Sequence, residues 1–285
     1  MYSTDILRHI KLILLEGGIV QGEASALALM LIEETTGLSR TQILTGSANI
    51  PDTSLLLSRA GAIAAGTPIQ HLLGYASFMD MKLKVTPSVL IPRPETEELI
   101  HWVLETEPAP RSILDIGTGS GCIAIALKRA LPQARVTALD ISPEALAIAQ
   151  ENARNNNADI NFICADILNS QWSMVNSQWS IVISNPPYIC QSEADEMDKN
   201  VLDHEPHLAL FVPDDDPLLF YRAIATQAVH FLAPGGTLFF EINRKHGREL
   251  RSLLLSLGYT DISLRTDQFG NNRMLKATLL TPLNS

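Results

Sequence analysis

The run Ile181–Ser184 has strand character and ends in Asn185, Pro186, Pro187 and Tyr188. A proline fixes its own φ, has no N–H, and biases the residue before it toward extended backbone. The segment therefore reads as a stiff corner whose carbonyls are not consumed by a helix or a ladder, with a side-chain amide directly ahead of it. Such a corner can hold a planar NH2 group. The Asn185 side-chain oxygen and the Pro186 carbonyl would accept its two N–H bonds, with Tyr188 pressing on the planar group. The nitrogen of an amide or an aromatic amine is a poor nucleophile because its lone pair is delocalised. Holding both N–H bonds turns that lone pair toward an electrophile, and orientation of this kind can offset roughly 7–11 kcal/mol of a barrier. Fixed dipoles in a dry site favour the accompanying movement of charge. No histidine, cysteine or lysine base is evident, and the chemistry needs none.

A second set of residues suits a ligand carrying an adenosine. In LDIGTGSGCIAIAL, Gly117, Thr118, Gly119, Ser120 and Gly121 lie between a strand pattern and a helix pattern, where glycines allow a sharp turn and bring a ligand close to bare backbone. A dinucleotide-binding G-x-G-x-x-G would require glycine where Cys122 stands. Gly-x-Gly-x-Gly preceded by Asp115 instead suits a ligand without a pyrophosphate. Asp140 ends the next strand pattern, VTALD, and a carboxylate there can accept from both ribose hydroxyls. Asp166 ends a third, FICAD, where it would receive the exocyclic amine of an adenine, with Ile167 packing the ring. Without a ligand, the same residues make a tight turn and two capping or solvated aspartates. Three ligand-facing positions at successive strand ends form a crevice at the carboxyl edge of a sheet. Together they resemble the class I fold that binds S-adenosylmethionine, with Asn185 beside the sulfonium of that methyl donor.

The elements that must position these residues are legible in the periodicity. Residues 1–75 read as helices, with apolar residues three and four apart in DILRHIKLILL, EASALALMLIEET and DTSLLLSRAGAIAAG, and are expected to form a small bundle. Residues 76–92 alternate as a linking β-hairpin would. From 93 to 285 strand and helix patterns alternate, which predicts an α/β domain: a Rossmann-like, mainly parallel sheet with helices on both faces. Ser142 and Pro143 mark a helix start, and two successive strand patterns at the C-terminus predict an antiparallel hairpin at one edge.

Composition excludes several classes. The 285 residues are 46% hydrophobic and 18% charged, with a formal charge of −10. No apolar run approaches the ~20 residues of a membrane span. Cys122, Cys164 and Cys190 form no CxxC pair, so no disulfide framework or metal site is expected, and a cytoplasmic location suits them. Residues 1–92 carry six basic and seven acidic side chains, so the negative charge sits in the α/β domain. Bulk attraction to nucleic-acid phosphate is absent.

An Asn-Pro-Pro-Tyr corner occurs in methyltransferases acting on adenine in nucleic acid and on glutamine in protein, and does not choose between them. The rest of the chain carries GTPIQHLLGYASF, VLIPRPETEELI, LDIGTGSGCIAIALK, SNPPYI, DHEPHLAL followed by LLFYRAIA, and DQFGNNRM, in that order. In these it resembles the release-factor glutamine methyltransferases of the HemK/PrmC type over essentially its whole length. The resemblance implies methylation of the glutamine amide nitrogen (N5) in the Gly-Gly-Gln tip of bacterial class I peptide chain release factors. It implies that Gly117 to Gly121 and Asp140 bind S-adenosylmethionine and that Asn185 touches both cofactor and glutamine. Pro186, Pro187 and Tyr188 would form the glutamine pocket, and the N-terminal bundle would grip the release factor. The expected enzyme is a monomer with no metal, membrane or direct nucleic-acid partner. The rival readings are an adenine N6-methyltransferase on DNA or RNA, disfavoured by the acidic domain, and a non-catalytic binding module, which would have no use for the corner.

Overall fold

The computed structural model describes residues 1–169 and 178–280. The chain divides into two compact units, Met1–Tyr75 with Asp198–His204, and Ala76–Met197 with Glu205 onward.

The first unit holds helices α1 (Ser3–Glu16), α2 (Gln21–Thr36), α3 (Arg40–Thr45), α4 (Ser54–Ala64) and α5 (Ile69–Leu73). Ile6, Ile10 and Leu14 of α1 recur every four residues and are fully buried with Ala24, Ala28, Leu31 and Ile32 of α2. Helices α3 and α5 are too short to show periodicity. The start of α3 is nonetheless written locally: the Ser39 side chain accepts from the Gln42 N–H while the Gln42 side chain accepts from the Ser39 N–H.

At the start of the second unit β1 (Tyr75–Phe78), whose first residue still clusters with the first unit, and β2 (Met81–Lys84) form a two-stranded sheet. Then follow α6 (Pro94–Thr106), β3 (Ser112–Ile116), α7 (Cys122–Ala130), β4 (Arg135–Asp140), α8 (Pro143–Asn155), β5 (Ile160–Cys164), β6 (Trp179–Ser184) and β7 (Ile189–Cys190). After α9 (Lys199–His204), which clusters with the first unit, come β8 (Phe211–Val212), α10 (Leu219–Phe231), β9 (Leu232–Glu241), α11 (Gly247–Ser256), β10 (Thr260–Thr266) and β11 (Asn272–Leu279). Seven strands form one sheet in the order β10-β11-β9-β6-β3-β4-β5. From β9 to β5 neighbours are parallel, and β11 runs antiparallel to both β9 and β10. Both the parallel sheet and the C-terminal edge hairpin agree with the sequence pattern.

Alternation along each strand divides the core into two layers. Ile113, Ile181, Ile183 and Phe239 pack with α6, α7 and the side chains of Phe78, Met81 and Leu83. Leu114, Val182, Leu238 and Phe240 pack on the other face with α10 and α11. The central strands are buried on both faces, so they read as unbroken apolar runs. The short strands β7 and β8 pair in parallel in a separate sheet. At two residues each, they leave no period-two signal in the sequence.

Candidate active site

The chain lays down β3, β4 and β5 outward in one direction, then returns to place β6 on the other side of β3. That reversal opens a crevice at the carboxyl ends of the strands. Register brings the ends level: Ile116 pairs with Leu139 and with Ser184, and Asp140 pairs with Cys164. The Ser184 hydroxyl donates to the Ile116 carbonyl at 2.6 Å, tying the last residue of β6 to that of β3. A cavity of about 390 Å³ lies over these ends. Gly117, Thr118, Gly119, Ser120, Asp140, Asp166, Ile167, Asn185, Pro186 and Pro187 all border it, whereas Gly121 and Tyr188 do not.

The loop after β3 is held from below. The N–H groups of Gly117 and Thr118 donate to the Leu139 carbonyl at 2.8 and 3.0 Å, and the Gly119 N–H donates to Asp140 Oδ2 at 2.8 Å. Gly117, Gly119 and Gly121 have φ of +73°, +54° and +84°, a region that L side chains rarely adopt. A Cβ added at Gly117 or Gly119 would meet nothing within 4 Å, so bare backbone faces the opening. Gly121 differs: its Cβ would lie 3.0 Å from Ile125 Cδ1 and 3.1 Å from Ala149 Cβ. Its glycine serves the contact between the start of α7 and α8. Gly121→Ala is therefore expected to lose about 2–4 kcal/mol in urea unfolding, from left-handed strain plus overpacking. Gly119→Ala should lose only the strain part, about 1–2 kcal/mol.

Asp140 is nearly buried, and both carboxylate oxygens are engaged, Oδ2 as above and Oδ1 by the Ser142 N–H at 3.0 Å. Burial raises its pKa, opposed by those N–H bonds. Asp166 Oδ1 accepts from the Leu168 N–H at 2.8 Å, and the Ile167 side chain is buried at the cavity wall. Below the loop, fully buried Asp115 accepts from the Thr118 hydroxyl at 2.6 Å through Oδ2. Burial pushes the Asp115 carboxyl from 3.8 up to about 7, with the Thr118 bond opposing and the Asp140 charge adding. An acid raised in the folded state stabilises below its unfolded value, and that stability is lost as pH rises through the folded value. Asp115→Asn should therefore gain stability relative to the wild type across that window, by roughly 1.4 kcal/mol per pH unit, and level off above it. Urea midpoints at a series of pH values check this; a pH-independent difference would contradict it. Cys122, also at the cavity, is raised to about 12 by burial and offers no thiolate.

The corner after β6 carries hydrogen bonds the motif did not announce. Asn185 Nδ2 donates to Thr96 Oγ1 at 3.3 Å, and the Thr96 hydroxyl donates to Glu241 Oε2 at 2.7 Å. The Tyr188 hydroxyl donates to Glu241 Oε1 at 3.1 Å, so Tyr188 is turned away from the cavity and its ring packs on the α10 face of the core. Burial raises the Glu241 carboxyl, opposed by the Thr96 and Tyr188 bonds and by the Arg273 guanidinium. Asn243 Nδ2 donates to the Tyr188 carbonyl at 3.1 Å and to Glu193 Oε2 at 3.0 Å, anchoring the far end of the corner.

Sequence reading missed Thr96, Glu241, Asn152 and the Arg93–Glu205 pair. Glu241 ends an apolar strand as Asp140 does, which was a usable signal. Asn152 falls on the buried face of α8 with Ala145, Leu146, Ala149 and Ala153, a polar residue at an apolar position. Its Nδ2 donates to the Ser120 carbonyl at 2.9 Å and the Lys84 carbonyl at 3.0 Å. Glu205, buried, accepts from the Arg93 guanidinium and from the Ile91 N–H, fixing the Pro-Arg-Pro-Glu segment at the cavity. That pair is 112 residues apart in sequence and leaves no local trace.

Residues 96–205 match the model of the methyltransferase small domain family. The release factor glutamine methyltransferase of Bacteroides thetaiotaomicron is 48% identical over 210 residues, 74% of this chain and 75% of that protein. That of Deinococcus radiodurans is 35% identical over 283 residues, 97% of this chain and 98% of that protein. A crystal structure of a methyltransferase from Pyrococcus furiosus superimposes with a TM-score of 0.53 at 17% identity, over 79% of this chain and 98% of that one. The sheet order and this likeness give the class I methyltransferase fold. With identity of this extent along nearly its full length, the chain belongs to the release factor glutamine methyltransferase family.

Proposed function

We propose that the protein methylates the side-chain amide nitrogen of glutamine in the Gly-Gly-Gln tip of bacterial class I release factors, using S-adenosylmethionine. The observation that carries this reading is that Asn185 and Pro186 border the same cavity as the glycine loop and Asp140. Holders for a planar NH2 group thus lie beside a cradle for an adenosine. The residues fit the cofactor: open backbone at Gly117 and Gly119, a buried carboxylate at Asp140 for the ribose, and Asp166 with Ile167 for the adenine. When bound, it supplies an electrophilic methyl on a sulfonium. The protein's part is orientation. Asn185 and the Pro186 carbonyl hold the two N–H bonds of the glutamine amide, and the rigid prolines keep those acceptors still. Apolar walls from Leu139, Ile167 and Ile224 exclude water.

An adenine in nucleic acid would fit such holders too. The formal charge of −10 opposes it, and the relatives at 35–48% identity are named for release factor glutamine. The helices of residues 1–75 would bind the body of the release factor, since a tripeptide tip is too small to specify a large protein. No described helix is long and apolar enough to cross a membrane. Action as a monomer in the cytoplasm, where release factors work, is part of the proposal.

The test is incubation with cofactor, a release factor and duplex DNA, followed by mass spectrometry. One added methylene on the glutamine of the tip peptide, with the DNA unmodified, is expected. Methylated adenine with an unmodified tip would reverse the assignment. A far higher KM for an isolated tip peptide than for the whole factor would support the role given to the N-terminal helices, and equal values would remove it.

A further inference from the structure

Asn185 presents an oxygen and an NH2 group on one short side chain, and the two are nearly the same shape. Holding a glutamine amide by its N–H bonds requires the oxygen to face the cavity. Turned over, the same side chain would offer donors and would suit a carboxylate instead. Something must set the sense.

Proton bookkeeping around Asn185 sets it. A carboxylate accepts only, and a hydroxyl has one proton to give. The Thr96 and Tyr188 hydroxyls both point their protons at Glu241, at 2.7 and 3.1 Å. Thr96 Oγ1 then has lone pairs alone to offer Asn185, and the group it receives, at 3.3 Å, is Nδ2. The reverse orientation would set two acceptor oxygens together with no proton between them. Thr96 and Glu241 are each 2% exposed, so two oxygens facing each other there would carry the cost of an unpaired buried acceptor. Thr96 sits in the first turn of α6 and Glu241 at the end of β9, so rigid elements hold the relay.

We infer that Thr96 and Glu241 are positioning residues that lock Asn185 with its oxygen toward the cavity, making the site a reader of amide against carboxylate. The inference rests on the proposed reaction and adds to it the reason that glutamine, and not glutamate, is admitted at the tip.

Thr96→Val keeps the shape and removes the acceptor; Thr96→Ser keeps the hydroxyl. Two quantities are measured: kcat on the release factor, and inhibition by a tip peptide carrying Gly-Gly-Glu in place of Gly-Gly-Gln. For Thr96→Val, kcat should fall ~10- to 100-fold with cofactor affinity kept, and the glutamate peptide should inhibit ~10-fold better than it inhibits the wild type. Thr96→Ser should recover most of the rate and the discrimination. A purely structural role would lower activity without improving glutamate binding. Glu241→Gln attacks the relay from its other end, since an amide can donate to Thr96 and release its proton; it should show the same relaxed discrimination and serves if Thr96→Val does not fold. Unchanged discrimination in the folded variants overturns the inference. A wild type that leaves release factor unmodified overturns the proposed reaction itself, which keeps the two failures apart.

Discussion

Asn185→Ala is expected to abolish nearly all methyl transfer while leaving the fold and most cofactor affinity in place. The side chain is half-buried just after β6, and its hydrogen bond to Thr96, the one it makes among the described residues, is long at 3.3 Å. Its loss should cost little stability. The substrate amide, by contrast, would lose one of two acceptors and be free to rotate, so its lone pair would leave the line of attack. By comparison with removal of one oriented donor from an oxyanion site, a fall of about 10²–10³ in kcat is expected. Stopped-time assays at saturating release factor, with calorimetry of cofactor binding as the control, provide the check. Turnover within a few-fold of wild type would mean that orientation by this amide is not the source of the rate.

Asp140→Ala should produce the second large effect, on binding instead of rate. Two ribose hydroxyls donating to a buried carboxylate contribute about 1.5 kcal/mol each at the low end for charged acceptors, so Kd should rise ~100-fold. The Gly119 N–H would also lose its partner at 2.8 Å, loosening the loop that approaches the cofactor. With cofactor raised well above the new Kd, kcat should recover toward wild type, which separates this variant from Asn185→Ala. An isothermal titration showing unchanged affinity would eliminate the ribose contact.

The strand ends were legible because each follows a largely apolar run, buried on both faces in β4 and β6 and half-buried at the sheet edge in β5, so the polar residue after it marks where the chain leaves the sheet. Asp140, Asp166 and Asn185 were found in that way, and the cavity gathers all three. Tyr188 and Gly121 came with their motifs, and the structure places both outside the cavity wall, Tyr188 bonded to Glu241 and Gly121 against α8. Spacing says that a residue is near a corner, and only packing says which way it points. The relay through Thr96 and Glu241 spans 145 residues, and the contact of Asn152 with Lys84 spans 68; neither has a periodicity to betray it.

That last contact has a practical consequence for trimming the enzyme. Lys84 of the hairpin exchanges two backbone bonds with the Asn152 amide, its N–H donating at 2.6 Å and its carbonyl accepting at 3.0 Å. The same amide supports Ser120 in the glycine loop. A minimal catalytic fragment cut at Arg93, where the α/β pattern begins, would lack the hairpin. It would leave a bare patch where Phe78, Met81 and Leu83 had been, and an amide stripped of two of its hydrogen bonds beneath the loop. The shortest independent enzyme should instead begin at residue 75 or before, and a library of N-terminal deletions scored for cofactor binding should break off sharply there, well short of the first helix of the sheet domain.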